Sequence, residues 1–476
     1  MFRSFAIVVL LLGCSAVFGQ SRRVNPAASP PYGEAAAPAA PVRPVKDLFD
    51  EANAYNKVKF AEFEQKKLPV SDGLIAQTQR ERKQLAAKYA AMIRQRADLT
   101  PDDLYYLGLL HWIAENLDST REAFVKYLAG EGLPPDKVQN ARAIVAVIYA
   151  RQKNFGEAEK MIADYVGGPL VKLSERGQME RELAKAFAAE KKYQEAAPHA
   201  GEAYKAYKAV AADPASRGRI VDELIASGLF SFEVDRLLDK QSDADAILDD
   251  MRKTAVELQA GNFFYYSVDA QIKYQIETGR KPQALANLAA TLAQVGRDFT
   301  AKDTKTDLED KLKARGTQYR LLGAAAPELV RIDKAFPGEN STLAGLRGKV
   351  ILLDFWATWC VPCIEAFPTL LEWQQDYGKD GLVILGLTRY YGKAEGLPTD
   401  TASEIDFLYR FRQKHALTYD FLVSKDDTNH RTYGASAIPT AAIIDRKGNI
   451  RYLETGTSPS RLTEMREMIE KLISEK

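Results

Sequence analysis

Between residues 107 and 203 the sequence repeats every 38 positions. Leu107-Gly108-x-x-His111, with Thr120, Phe124 and Tyr127, returns as Val145-Ala146-x-x-Tyr149, with Ala158, Ile162 and Tyr165. It returns again as Leu183-Ala184-x-x-Phe187, with Ala196, Ala200 and Ala203. Each unit sets a small residue where two helices can cross, a ring three positions on, a polar turn, and a second run with helical apolar spacing. A looser pair, Ala246 and Ala284, lies 38 apart as well. Ala, Leu, Glu, Lys and Gln dominate residues 46–315, and alternating β-branched runs are scarce, so this stretch is predicted to be helical throughout. A lone helical hairpin cannot bury its apolar face, so such units stack into a solenoid.

The unit resembles the tetratricopeptide repeat, with Leu-Gly-x-x-Tyr followed by Ala and then Phe, although that family's period is about 34 residues. The resemblance implies a concave face that takes a partner protein or peptide. The Lys and Asn with which such repeats clamp a C-terminal carboxylate are replaced by Tyr105 and Leu109. The aromatic run Phe263-Phe264-Tyr265-Tyr266 is read as solenoid core, with a ligand platform as the alternative.

The chain begins with Arg3 and then apolar and small residues over positions 5–18. That run is too short to cross a bilayer and has the form of a secretory signal. Val17-Phe18-Gly19 is an acceptable cleavage site, which makes residues 1–19 a signal peptide. Leu11-Leu12-Gly13-Cys14 also has the form of a bacterial lipobox, which would leave the protein lipid-anchored through Cys14. Either reading places the mature chain outside the cytoplasm, in a bacterial periplasm. Residues 20–45, rich in Pro and Ala, are expected to be a disordered linker, since they hold too little apolar surface to offset chain entropy. The 65 basic and 64 acidic side chains balance, which argues against a nucleic-acid partner.

Beyond residue 317 the pattern changes. Short apolar runs at 350–355, 382–387, 440–444 and 450–453 alternate with helical stretches at 363–377, 402–415 and 461–473. This is the signature of an α/β domain, here residues 325–476, after a junction at Ala324-Ala325-Ala326-Pro327. Residues 445–449 read as a hairpin turn. The fold class is therefore multidomain, an all-α helical-repeat solenoid followed by an α/β unit.

Once a signal is removed, Cys360 and Cys363 are the remaining cysteines besides a lipidated Cys14. They sit in Leu353-Asp354-Phe355-Trp356-Ala357-Thr358-Trp359-Cys360-Val361-Pro362-Cys363, after a predicted strand and at the start of a helix. A thiol at a helix N-terminus meets free backbone N–H groups that favour the thiolate, the nucleophile of disulfide exchange. A single pair is half of a zinc site at most, so no metal and no cofactor is expected. A peroxidase of the peroxiredoxin type would need Thr or Ser three before its cysteine and Pro seven before; Ala357 and Leu353 stand there.

This stretch, with Ala437-Ile438-Pro439-Thr440, resembles the thioredoxin family, in particular its extracytoplasmic thiol:disulfide reductases. The resemblance implies a thioredoxin fold with Pro439 cis and facing the disulfide. It makes Cys360 the attacking and Cys363 the resolving cysteine, joined as a redox disulfide. Asp354 would be a buried acid that accepts the Cys363 proton. Trp359, Ile438 and Pro439 would bind substrate, and Trp356 would pack beneath. Many exported reductases carry Glu three residues after the second cysteine; Ala366 stands there, with Glu365 one residue earlier. His111, His199, His415 and His430 belong to no constellation and are taken as structural; Arg389-Tyr390-Tyr391 follows a strand, with a place near the active-site face as the alternative to an ordinary loop.

The expected activity is thiol:disulfide oxidoreduction on protein clients, in the reducing direction, with a membrane electron donor and a partner on the repeats. Cytochrome c maturation is one task the resemblance implies. Two alternatives stand beside it. The chain is an interaction scaffold whose redox pair is regulatory, or it is a disulfide oxidase or isomerase.

Overall fold

The computed structural model describes residues 43–338 and 342–475. The signal, lipobox and most of the linker expected at residues 1–45 therefore lie outside the described residues. Helices pair in sequence: α1 (Val45–Gln65) with α2 (Asp72–Arg94), α3 (Pro101–Ile113) with α4 (Leu117–Leu128), and α5 (Pro135–Arg151) with α6 (Phe155–Val166). Then come α7 (Leu173–Ala189), α8 (Tyr193–Ala211), α9 (Pro214–Leu237), α10 (Gln241–Glu257), α11 (Gly261–Glu277), α12 (Lys281–Asp298) and α13 (Lys302–Leu321). The helical part runs on to Leu321 rather than stopping at 315.

The 38-residue period is visible in the backbone. Second helices of successive units begin at Leu117, Phe155 and Tyr193. Each preceding turn contains one non-glycine residue in the left-handed region, Glu115, Lys153 and Lys191. In each, the next amide closes the turn on the carbonyl of the repeat's ring position, His111, Tyr149 or Phe187, at 2.9–3.0 Å. This satisfies carbonyls the ending helix would leave unpaired. The small position is tight: a Cβ on Gly108 would lie 2.7 Å from the Phe124 ring. The looser pair is corrected. Ala246 is exposed and Ala244 is the first buried alanine of α10, so the spacing to Ala284, the first buried alanine of α12, is 40, not 38. The α10 helix turns Ala244, Leu248 and Met251 inward, which leaves Ala246 on the solvent side. Of the aromatic run read as core, Phe263 and Phe264 are wholly buried, Tyr265 is half-buried and Tyr266 is exposed, because consecutive helical residues cannot all face one side.

A six-stranded sheet follows. Its strands are β1 (Ile332–Phe336), β2 (Val350–Phe355), β3 (Leu382–Arg389), β6 (Asp420–Ser424), β7 (Thr440–Ile444) and β8 (Ile450–Thr455), in the order β1-β6-β3-β2-β7-β8. Strands β2, β3 and β6 are parallel, and β1, β7 and β8 run antiparallel to their neighbours. A separate hairpin, β4 (Lys393–Ala394) with β5 (Leu397–Pro398), follows β3. Helices α14 (Val361–Tyr377), α15 (Thr401–Lys414) and α17 (Pro459–Ser474) cover one face, and α16 (Thr428–Thr432) is short. Strands β1 and β6 escape the sequence reading because Ile-Asp-Lys-Ala-Phe and Asp-Phe-Leu-Val-Ser are short and carry charge.

Alternation along the strands divides the sheet between two cores. Val350, Leu352 and Trp356 pack with α14, α15 and α17. Leu353, Phe355, Leu385, Leu387, Leu422 and Leu453 face the other way, in one continuous cluster with Leu312, Tyr319 and Leu322 of the last helical segment. The solenoid thus supplies one of the two layers over the sheet. Its junction is fixed rather than loose: Gly323 N–H donates to Ile450 O at 2.7 Å and Ile450 N–H to Ala324 O at 2.9 Å.

Candidate active site

Strand β2 delivers the loop to Cys360, which is the N-cap of α14. Its sulfur accepts the Cys363 backbone N–H at 3.2 Å, and Pro362 sits in the first turn, where a missing N–H costs nothing. Cys360 and Cys363 are joined as a disulfide. Both are buried, Cys363 more deeply. Trp356 is wholly buried, stacked on Phe411 at 5.5 Å and edge-on to Phe367 and Phe421. Trp359 is 56% exposed on the rim.

Asp354 lies on the same face of β2 as Val350, Leu352 and Trp356, between Gly386 of β3 and Ala441 of β7 in register. Its two flanks are thus small. Burial pushes its carboxyl up to about 7, with no cation to oppose the shift. Tyr419, preceding β6, is deeply buried, and its hydroxyl is pushed well above the usual range by burial and then by the Asp354 charge.

The Ile438–Pro439 peptide is cis. Pro439 O accepts Gly456 N–H at 2.7 Å, and Thr440 pairs with Phe355, so the loop 435–439 stands beside the end of β2. Ile438 is half-buried against the cluster that holds Cys360 and Cys363. The structure therefore brings Asp354, Cys360, Cys363, Trp359, Ile438 and Pro439 to one end of the sheet. Glu365 points into solvent and Ala366 inward, so Glu365 does not stand in for the missing acid.

Tyr391 is edge-on to Trp359 at 5.4 Å, and the Arg389 guanidinium lies 4.4 Å from the Tyr391 ring. The buried Glu404 carboxylate fixes this turn by accepting Tyr391 N–H at 2.8 Å and Gly392 N–H at 3.0 Å. The sequence hinted at Tyr391 by its place after a strand, but nothing in it pointed to Glu404, which acts from α15. Of the histidines, His199 bonds Glu180 at 2.6 Å, His415 packs on Phe411, His430 lies edge-on to Phe355 at 5.2 Å, and burial lowers His111 and His430 to about 4.

A redoxin family model matches residues 321–471. The thiol-disulfide oxidoreductase ResA of Geobacillus thermodenitrificans is 29% identical over 136 residues, 29% of this chain and 70% of that protein. The thioredoxin-like protein YneN of Bacillus subtilis is 32% identical over 124 residues, 26% of this chain and 66% of its own. Protein DipZ of Mycobacterium tuberculosis is 28% identical over 199 residues, 41% of this chain and 26% of its own. Among solved structures, the thioredoxin domain of a thiol-disulfide oxidoreductase from Bacteroides vulgatus is 20% identical over 32% of this chain and 98% of its own, with a TM-score of 0.27. The cysteine pair at the head of α14, the cis-proline loop beside it and the curated relatives agree: residues 321–471 form a redoxin domain, similar to thioredoxin-like thiol:disulfide oxidoreductases.

Proposed function

We propose that the chain is an exported reductase of protein disulfides. The observation that carries this reading is the Cys360 sulfur at the head of α14, receiving the Cys363 amide, with Asp354 buried on the adjoining sheet face. In the reduced enzyme the Cys360 thiolate attacks a client disulfide. A Cys360–client bond forms, the client S–S bond breaks, and one client sulfur leaves as a thiolate. Cys363 then gives its proton to Asp354 and attacks the Cys360 sulfur. The second client sulfur leaves, and the chain retains the Cys360–Cys363 disulfide. Two electrons have passed to the client, and a dithiol donor at the membrane must restore them. Trp359, Ile438 and Pro439 hold the client segment.

Val361-Pro362 between the cysteines supports the reducing direction, since no His is placed there to stabilise the thiolate and make the disulfide oxidising. The basic start and apolar run at residues 1–19 support export, with release near Gly19 or anchoring through Cys14. Helical repeats recruit a partner on this reading, and apocytochrome c is one client the family resemblance suggests.

Equilibration with glutathione and dithiothreitol buffers tests the direction. A potential near about −250 mV or lower is expected of a reductase, and one near about −120 mV overturns that direction in favour of an oxidant. A pair that forms no disulfide would leave only the scaffold reading. Cys363→Ser is expected to accumulate a mixed disulfide with the client through Cys360, resolved by a reductant and identified by mass.

A further inference from the structure

The client loop 435–439 is supported from outside its own domain. Gln318 of α13, almost wholly buried, bonds the residue before it and Thr455 of β8, which pairs with Thr440 just after it. Its Nε2 donates to Gly434 O at 3.0 Å, where the loop begins, and to Thr455 Oγ1 at 3.1 Å. Thr455 Oγ1 lies 2.9 Å from Thr440 Oγ1, and Thr440 Oγ1 donates to Ala437 O at 2.7 Å. The direction of this chain is forced. An amide N–H can only donate and a carbonyl can only accept, so the two hydroxyls pass the hydrogen bond from Gln318 to Ala437. A chain aligned in this way strengthens each of its members.

The backbone also lies directly against α13. Gly434 is left-handed, with φ +64°, and a Cβ there would lie 3.1 Å from Gln318 Cγ and 3.2 Å from Thr317 Cβ. Gln318 is itself held: its Oε1 accepts from Arg315, whose guanidinium is clamped by Asp269 of α11 at 2.9 Å and Glu454 of β8 at 2.8 Å.

We propose that Gln318 is a positioning residue for the disulfide client, so that the last helix of the solenoid sets the shape of the loop that takes the client segment. This rests on the reductase reading above. Gln318→Glu keeps the size and the Arg315 contact but replaces both donated hydrogen bonds with an acceptor. Thr455→Val breaks the same chain from β8 with little change in volume.

The test uses the whole chain, with insulin as the disulfide and dithiothreitol as the donor. Both variants are expected to raise KM about tenfold, the double variant no further than either alone, and the equilibrium constant of the Cys360–Cys363 pair with glutathione to move less than twofold. KM values within twofold of wild type in both variants overturn the inference. Should Gln318→Glu fail to fold, Thr455→Val alone decides. A wild-type chain that leaves insulin intact overturns the reductase reading instead. In that case hydrogen exchange at the amides that bracket the loop decides, Ala435 N–H on His430 O and Gly456 N–H on Pro439 O: a tenfold acceleration in Thr455→Val upholds the positioning role, and unchanged exchange overturns it.

Discussion

Asp354 is a carboxyl with apolar surroundings and no cation, and its pKa of about 7 makes two predictions of opposite sense. The native state holds this proton more tightly than the unfolded chain does. The resulting cost to stability is absent below about pH 4, grows as the unfolded chain ionises, and is complete above about pH 7. Asp354→Asn removes it, so the variant is expected to gain up to about 4 kcal/mol at pH 8 and nothing at pH 4, read from urea midpoints at the two values. On the proposed mechanism its turnover of insulin should fall by about a hundredfold at pH 7, because Asp354 is there the acceptor of the Cys363 proton. Gly386, in register with Asp354, is fixed by contact. A Cβ there would lie 2.8 Å from both Phe421 Cβ and Trp356 Nε1, and Trp356 is wedged between rings. Gly386→Ala is expected to cost about 1–3 kcal/mol in thermal or chemical denaturation. The candidate site residues could be picked out in the sequence because Trp-Cys-x-Pro-Cys and Ile-Pro-Thr are local strings. The surroundings that shift Asp354 could not, since Gly386, Tyr419 and Ala441 come from three other segments.

The repeat determined the helices through local physics. Small residues mark crossings, rings close turns, and each unit turns between its two helices through a left-handed residue at the same position, Glu115, Lys153 or Lys191. Lys191 occupies that position with φ +58° and carries a side chain where glycine is favoured. Lys191→Gly is expected to raise stability by about 0.5–1 kcal/mol, measured by chemical denaturation. The interior strands β2 and β7 were legible with their bounds, because short runs that are apolar but for Asp354 and Thr440, set between turn signals, leave little choice. Edge strand β1 and its partner β6 were not. Their pattern carries charge, and only pairing with each other and with β3 makes them strands. The looser repeat also misled at Ala246, where a spacing argument had no contact to correct it.

Across the whole molecule, a buried ion cluster fastens helices to sheet. Arg315 and Lys273 meet Asp269 and Glu454, and Arg461 of α17 reaches Glu454 at 3.1 Å. Burial opposes the Asp269 charge, but Lys273 and Arg315 outweigh it and hold the carboxyl well below the usual range. That contribution is complete above about pH 4 and is lost as pH falls through the native pKa, the reverse of the Asp354 case. Arg315→Met leaves two carboxylates less compensated and is expected to cost about 3–5 kcal/mol in urea unfolding at pH 7. A chain starting at Ala324 would bare Leu353, Phe355, Leu385 and Leu387, now covered by the last helices. It is expected to aggregate during size-exclusion chromatography, where the full chain does not. The sequence by itself determined the helical period, the α/β alternation and the reactive pair, because each rests on residues close together in the chain. Only the tertiary structure decided that the solenoid forms a layer of the α/β domain, that burial sets the Asp354 carboxyl, and that α13 reaches the start of the loop 435–439. Those facts depend on burial and on contacts between residues more than a hundred positions apart, such as Gln318 and Gly434, and no local pattern encodes such a distance.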